Sequence, residues 1–222
     1  MMNQYLDQYC ERIAPGLWGE PLNLLSNAAF LIAGFLVWRM LTTDRFQWHR
    51  SPADITLLVA LLFAIGIGSG LWHLTAHYWA LWSDRIPILL FINLYLLSCL
   101  FRVVDLSVIG GIGVFAGYHV INAGTLLMLP ADFMNGSVFY LPTWFFLAGI
   151  TVVIWHRQYN VKQYFSWALI VLTVSLAFRT MDNAICGALQ TGTHFLWHLL
   201  NAITLYILML GLIDKYRMPE SS

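Results

Sequence analysis

The chain has 222 residues, with eleven acidic and eleven basic side chains and a formal net charge of zero. Only 10% of the residues are charged and 59% are hydrophobic, whereas a soluble domain has about 25% charged and about 45–50% apolar residues. This composition excludes an ordinary soluble domain and offers no basic surface for nucleic acid. We therefore expect a multi-pass integral membrane protein.

Seven apolar stretches are long enough to cross a bilayer, which takes about 20 residues in a helix. Strands are excluded, because lipid cannot satisfy an open sheet edge. The predicted spans are residues 21–42, 52–74, 84–104, 106–130, 137–156, 162–180 and 192–213. The connections are short and contain no linker or repeat. The sequence thus predicts an all-α, seven-transmembrane-helix bundle that forms a single domain over residues 1–222.

The distribution of Lys and Arg predicts the orientation of the bundle. One side of the membrane carries eight of these residues and the other carries three, which places the C-terminus in the cytoplasm and the N-terminus outside. The eight are Arg39, Arg45, Arg50, Arg102, Arg157, Lys162, Lys215 and Arg217. The segment before the first span is acidic rather than basic, so we predict no cleaved signal peptide.

Several polar side chains fall at one depth in this topology, near the extracytoplasmic leaflet. His73 lies at the outer end of span two, whereas Asp84 begins span three. His194 and His198 lie at the start of span seven. Ser69 precedes His73 by four residues, so the two side chains share a helix face. The sequence therefore predicts a polar site within the outer half of the membrane.

Three of these residues have the side chain and spacing of metal ligands. A catalytic zinc site takes three protein ligands and leaves a fourth position for water. His194 and His198 share a helix face, and His73 can complete the set from another span. His77 competes with His73, since these two are also four residues apart. The alternatives are interior histidines that hydrogen-bond between helices, and a bis-histidine haem site.

Asp84 and Ser69 are the candidate catalytic residues beside that metal. Zinc lowers the pKa of water towards about 7, so a nearby carboxylate such as Asp84 can orient the water and take its proton. The alternative for Asp84 is a helix N-cap, with Pro87 near the helix start. Ser69 can donate to a developing oxyanion, or it can bond a carbonyl of its own helix.

Glu20, Asn23 and Asn27 lie on one face of span one, which we expect to point into the bundle. Hard oxygen ligands of this kind suit calcium. For the two asparagines, a polar helix-packing seam is the alternative. Glu11 and Glu20 are the better candidates for holding a cation.

Two of the three cysteines, Cys10 and Cys186, fall outside the membrane in this topology, while Cys99 lies within span three. Disulfides persist in oxidising compartments. We predict a Cys10–Cys186 bridge, with two free thiols as the alternative.

Together these motifs resemble the alkaline ceramidases, which share a superfamily with adiponectin-receptor-like and haemolysin III-like membrane proteins. The resemblance covers the whole chain, and the short cytoplasmic loops resemble a compact bacterial version. It is carried by Tyr9-Cys10-Glu11-Arg12, Glu20-Pro21-Leu22-Asn23, Ser26-Asn27, Ser69-x-x-x-His73, Asp84, Asp182-Asn183, Cys186 and His194-x-x-x-His198.

The resemblance implies hydrolysis of the amide of ceramide, or of a related N-acyl lipid, to a fatty acid and a long-chain amine. It implies that His73, His194 and His198 hold zinc, that Asp84 activates water and that Ser69 stabilises the oxyanion. The alternative is a non-catalytic lipid-binding or receptor-like protein with a vestigial metal site. The presence of all these residue types favours the enzyme.

The resemblance also implies a structural calcium ion, held by Glu11, Glu20 and the backbone near Tyr9. This sequence departs from the family there. Gln8 stands where an acidic ligand is expected and Ile13 where an asparagine is expected.

Overall fold

The computed structural model describes residues 4–43 and 51–217. Within these ranges the chain is helical and contains no strand. The helices are α1 (Pro21–Ser26), α2 (Ala28–Thr43), α3 (Ala53–Thr75), α4 (Tyr78–Arg102), α5 (Val108–Met128), α6 (Leu141–His156), α7 (Lys162–Met181) and α8 (His194–Arg217). Seven helical segments are long and apolar enough to span a membrane, which confirms the predicted all-α bundle.

The first span is built from two helices, because the chain breaks between α1 and α2 at Asn27. The third span begins at Tyr78, so its predicted start at residue 84 was wrong. The polar residues at 83–85 lower the local hydropathy, although their backbone is helical. Of the residues counted for the orientation, Arg45 and Arg50 lie outside the described part of the chain.

The bundle is organised around α3 and α8, which are its most buried spans, while α5 is the least buried. Helix α3 packs mainly against α4 and α2, and α8 mainly against α7 and α2. We call the end that contains the last turn of α3 and the first turn of α8 the site end. At the opposite end, Asp54 accepts two hydrogen bonds from Arg102, at 2.8 and 2.9 Å.

A glycine allows α3 and α4 to approach closely at the site end. A Cβ atom on Gly68 would lie 1.9 Å from the carbonyl oxygen of Ser83, so any other residue would force the two backbones apart. The hydroxyl of Ser83 donates to the carbonyl of Gly68 at 3.2 Å. The chain reverses between the helices at Ala76, which adopts a left-handed conformation with φ of 56°. This contact brings the second turn of α4 beside the last turns of α3.

Candidate metal centre and active site

Three buried histidines meet at the site end of the bundle. His73 lies in the last turn of α3, and His194 and His198 occupy the first turns of α8. Their ring centroids are 4.6–5.4 Å apart, and one ring nitrogen from each lies within 4.8 Å of the other two. Within the described residues, this group could hold a metal ion.

The outer hydrogen bonds of two rings leave their inner nitrogens unprotonated. Glu20 accepts from Nδ1 of His73 at 2.9 Å. Ser26 donates its own proton to the Asn23 carbonyl, so its oxygen accepts from Nδ1 of His198 at 2.8 Å. Metal-binding histidines have such outer partners, which fix the tautomer and orient the ring.

Buried polar atoms without a partner support the same interpretation. Nε2 of His73 and Nδ1 of His194 are buried and have no hydrogen-bond partner. Unpaired buried nitrogens cost stability, whereas a metal ion would satisfy them. Three neutral imidazoles are also a donor set that suits zinc. The residues present therefore fit a zinc ion.

Residues 4–20, which we call the N-terminal segment, cover these histidines. The Tyr9 ring stacks on His194, with centroids 4.0 Å apart. Its hydroxyl accepts a hydrogen bond from the indole of Trp72 at 3.2 Å. Burial raises the pKa of Tyr9 to about 12, so the phenol stays neutral near pH 7. Tyr9 thus closes the site without adding a charge.

The two predicted catalytic residues lie together beside the histidines. Ser69 and Asp84 line the same cavity as His194 and His198, and Arg85 and Arg179 line it as well. Asp84 lies in the second turn of α4 rather than at its N-cap, because the capping position belongs to His77. The N-cap alternative for Asp84 was therefore wrong, and its carboxylate is available for chemistry.

The structure leaves His77 outside the histidine group and places Pro87 within a helix. His77 forms a backbone bridge with Tyr5 and is not part of the three-histidine group. Pro87 lies inside α4 rather than at its start.

A cavity of about 250 Å³ opens beside the site. Ser69, Asp84, His194 and His198 are among its lining residues. An apolar cavity of about 80 Å³ adjoins it and shares lining residues that include Ile88. The arrangement can therefore hold a polar group next to the histidines and an alkyl chain deeper in the bundle.

The loop before α8 is tied to the N-terminal segment. Asp182 is fully buried and accepts hydrogen bonds from the backbone N–H groups of Thr193 at 2.7 Å and His194 at 2.9 Å. Its other oxygen accepts from the N–H of Cys10 at 3.1 Å. A disulfide joins Cys10 to Cys186, with Cα atoms 5.5 Å apart. These links fix the start of α8, where His194 and His198 lie.

The two predicted calcium ligands lie close together, but their oxygens are already engaged. Glu11 uses both oxygens to accept backbone N–H groups of α1, each at 2.8 Å. One oxygen of Glu20 accepts from Arg12, and the other accepts from Asn23 and His73. Calcium needs six to eight oxygen ligands, whereas N–H protons face all four carboxylate oxygens here. The side-chain oxygens of Asn23 and Asn27 are buried and have no hydrogen-bond partner, but two amide oxygens fall short of a calcium site. Glu11 and Glu20 as placed here therefore do not fit a calcium ion.

Sequence reasoning missed the roles of several residues near the histidines: Tyr9, Arg12, Ser26, Trp72 and Asp182. Most belong to segments without helical periodicity, where spacing does not predict contacts. Tyr9, Arg12, Ser26 and Asp182 stand in motifs that carry the family resemblance, but the resemblance assigned their side chains no role at the histidines.

A comparison of the sequence with known protein families finds a match. The sequence matches the family model described as Ceramidase over residues 8–218, nearly the whole chain. The comparison with curated proteins finds no match.

Proposed function

This chain belongs to the ceramidase family, and on that premise we propose that it hydrolyses ceramide or a related N-acyl lipid with a zinc ion held by His73, His194 and His198. The family are amide hydrolases that act on the N-acyl C–N bond. The observation that carries the proposal is the convergence of three buried imidazoles at a cavity that Ser69 and Asp84 also line.

A zinc ion at the three imidazoles would act as a Lewis acid towards the amide carbonyl and make water reactive near neutral pH. The outer partners of the rings, Glu20 and Ser26, would hold two of the ligands in orientation. Preorganised ligands of this kind need little rearrangement when the ion binds.

The protein side chains would then handle the proton and the developing charge. Asp84 takes a proton from the attacking water, whose oxygen forms a bond to the carbonyl carbon. Ser69 turns its hydroxyl to the carbonyl oxygen as negative charge develops there. When the C–N bond breaks, Asp84 returns the proton to the leaving nitrogen, and the products are a fatty acid and a long-chain amine.

The cavities support the substrate class. The larger cavity lies at the histidines and the smaller apolar one continues deeper between the spans. An N-acyl lipid would place its amide beside Asp84 and an alkyl chain in the apolar cavity. The predicted orientation would put this reaction near the extracytoplasmic leaflet.

The proposal is tested on the full chain purified in detergent. We expect about one zinc ion per chain by elemental mass spectrometry, and its loss in His198→Ala. With a fluorescent ceramide, we expect the wild type to release fatty acid and lose this activity with a chelator. Zinc retained by His198→Ala would refute the metal site. Stoichiometric zinc without product release would favour the non-catalytic, receptor-like alternative.

A further inference from the structure

The N-terminal segment carries a buried cluster of charged groups outside the reacting residues. Glu11, Arg12 and Glu20 are at most 7% exposed. Buried charges are costly unless they are paired and hydrogen-bonded. All four carboxylate oxygens accept N–H protons from the backbone or side chains of the chain itself, whereas Nη2 of Arg12 and the side-chain oxygens of Asn23 and Asn27 are buried without a hydrogen-bond partner.

The Arg12 guanidinium is fixed on several sides. Its Nε donates to Glu20 and its Nη1 donates to the carbonyl of Leu6. It also lies 4.5 Å from the ring centroid of Trp72 and 5.3 Å from that of Tyr9. A guanidinium suits such a position because it is planar, always charged and able to stack on aromatic faces.

The Glu20 carboxylate connects the Arg12 guanidinium to the ring of His73. Arg12 and His73 donate to different oxygens of the same Glu20 carboxylate. Without Arg12, the buried carboxylate would lose its charged partner and could rotate. This rotation would weaken its hold on His73.

We propose that Arg12 is the built-in counter-ion of this cluster, in place of a bound divalent cation, and that it positions His73 through Glu20. The proposal rests on the metal site proposed above. Arg12 touches neither the substrate nor the metal, so it is a positioning residue. The chain should therefore bind zinc tightly without calcium.

The first experiment measures zinc affinity by chelator competition in the purified full chain. Arg12→Met should weaken zinc binding by up to about tenfold, the low end of the effect of losing a direct outer partner of a metal ligand, because Arg12 acts through Glu20. The matched control is Arg102→Met, which removes an arginine from a carboxylate at the opposite end of the bundle. This control should lower the thermal midpoint but leave zinc affinity unchanged.

The second experiment measures the thermal midpoint of the wild type in EGTA and in rising calcium, and it does not depend on whether Arg12→Met folds. We expect no saturable shift. A saturable stabilisation by calcium, or an Arg12→Met chain that binds zinc as tightly as the wild type, would overturn the proposal. A wild type without zinc would instead refute the histidine site, and the calcium titration would still test the counter-ion.

Discussion

Replacing Gly68 by alanine tests whether the close approach of α3 and α4 places the carboxylate. The new Cβ would lie 1.9 Å from the Ser83 carbonyl oxygen, whereas real Cβ atoms keep at least 3.0 Å. The helices must therefore separate by about 1.1 Å, the difference of these distances. Overpacking of this kind costs about 1–3 kcal/mol in stability. A 1 Å misplacement at an active site can lower the rate about 100-fold.

The assay compares amide hydrolysis, zinc content and thermal midpoint in Gly68→Ala and Gly113→Ala. Gly113 is the matched control, because a Cβ there meets nothing within 4 Å. We expect Gly68→Ala to lose turnover, because the separation of α3 from α4 moves Asp84 on α4 away from His73 on α3; zinc content then reports whether α3 itself has moved relative to α8. A Gly68→Ala chain that hydrolyses the lipid as fast as Gly113→Ala, with an unchanged midpoint, would refute this reasoning.

Three further changes test separate contacts. Asp84→Asn should keep zinc but lower kcat by about 10²- to 10⁴-fold, the usual contribution of a general acid or base. An unchanged kcat would show that Asp84 does not transfer the proton. Ser26→Ala should weaken zinc binding by about tenfold, because it removes the partner of His198; chelator competition measures this, and equal affinity would contradict the role. Cys10→Ser should lower the free energy of unfolding by about 2–4 kcal/mol in non-reducing denaturation, and a wild type insensitive to reductant would show that no bridge forms.

The sequence predicted the spans because membrane-crossing helices have a strong hydropathy signal. It failed at the start of α4, where Ser83, Asp84 and Arg85 are polar although the helix already began at Tyr78. Local hydropathy measures the cost of placing side chains in lipid, not backbone conformation. Asp84 and Arg85 line a cavity between the helices, so polar residues can lie inside this helix.

The histidine group was predictable because a four-residue spacing and alternating span direction set both depth and face. The contacts that surround the histidine group were not predictable from the sequence. Arg12 and Tyr9 lie in an irregular segment, so their contacts with Glu20 and His194 depend on long-range packing that no periodicity encodes. The break at Asn27 likewise turns Ser26 towards His198.

The site draws on segments far apart in the sequence: the disulfide joins residues 176 positions apart, and His194 and His198 lie on α8, after the six other spans that the structure describes. The histidine group therefore cannot assemble until α8 has been synthesised and has inserted beside α3. A nascent copy that still lacks α8 would enter the bilayer without this group and would not yet attack the lipids around it.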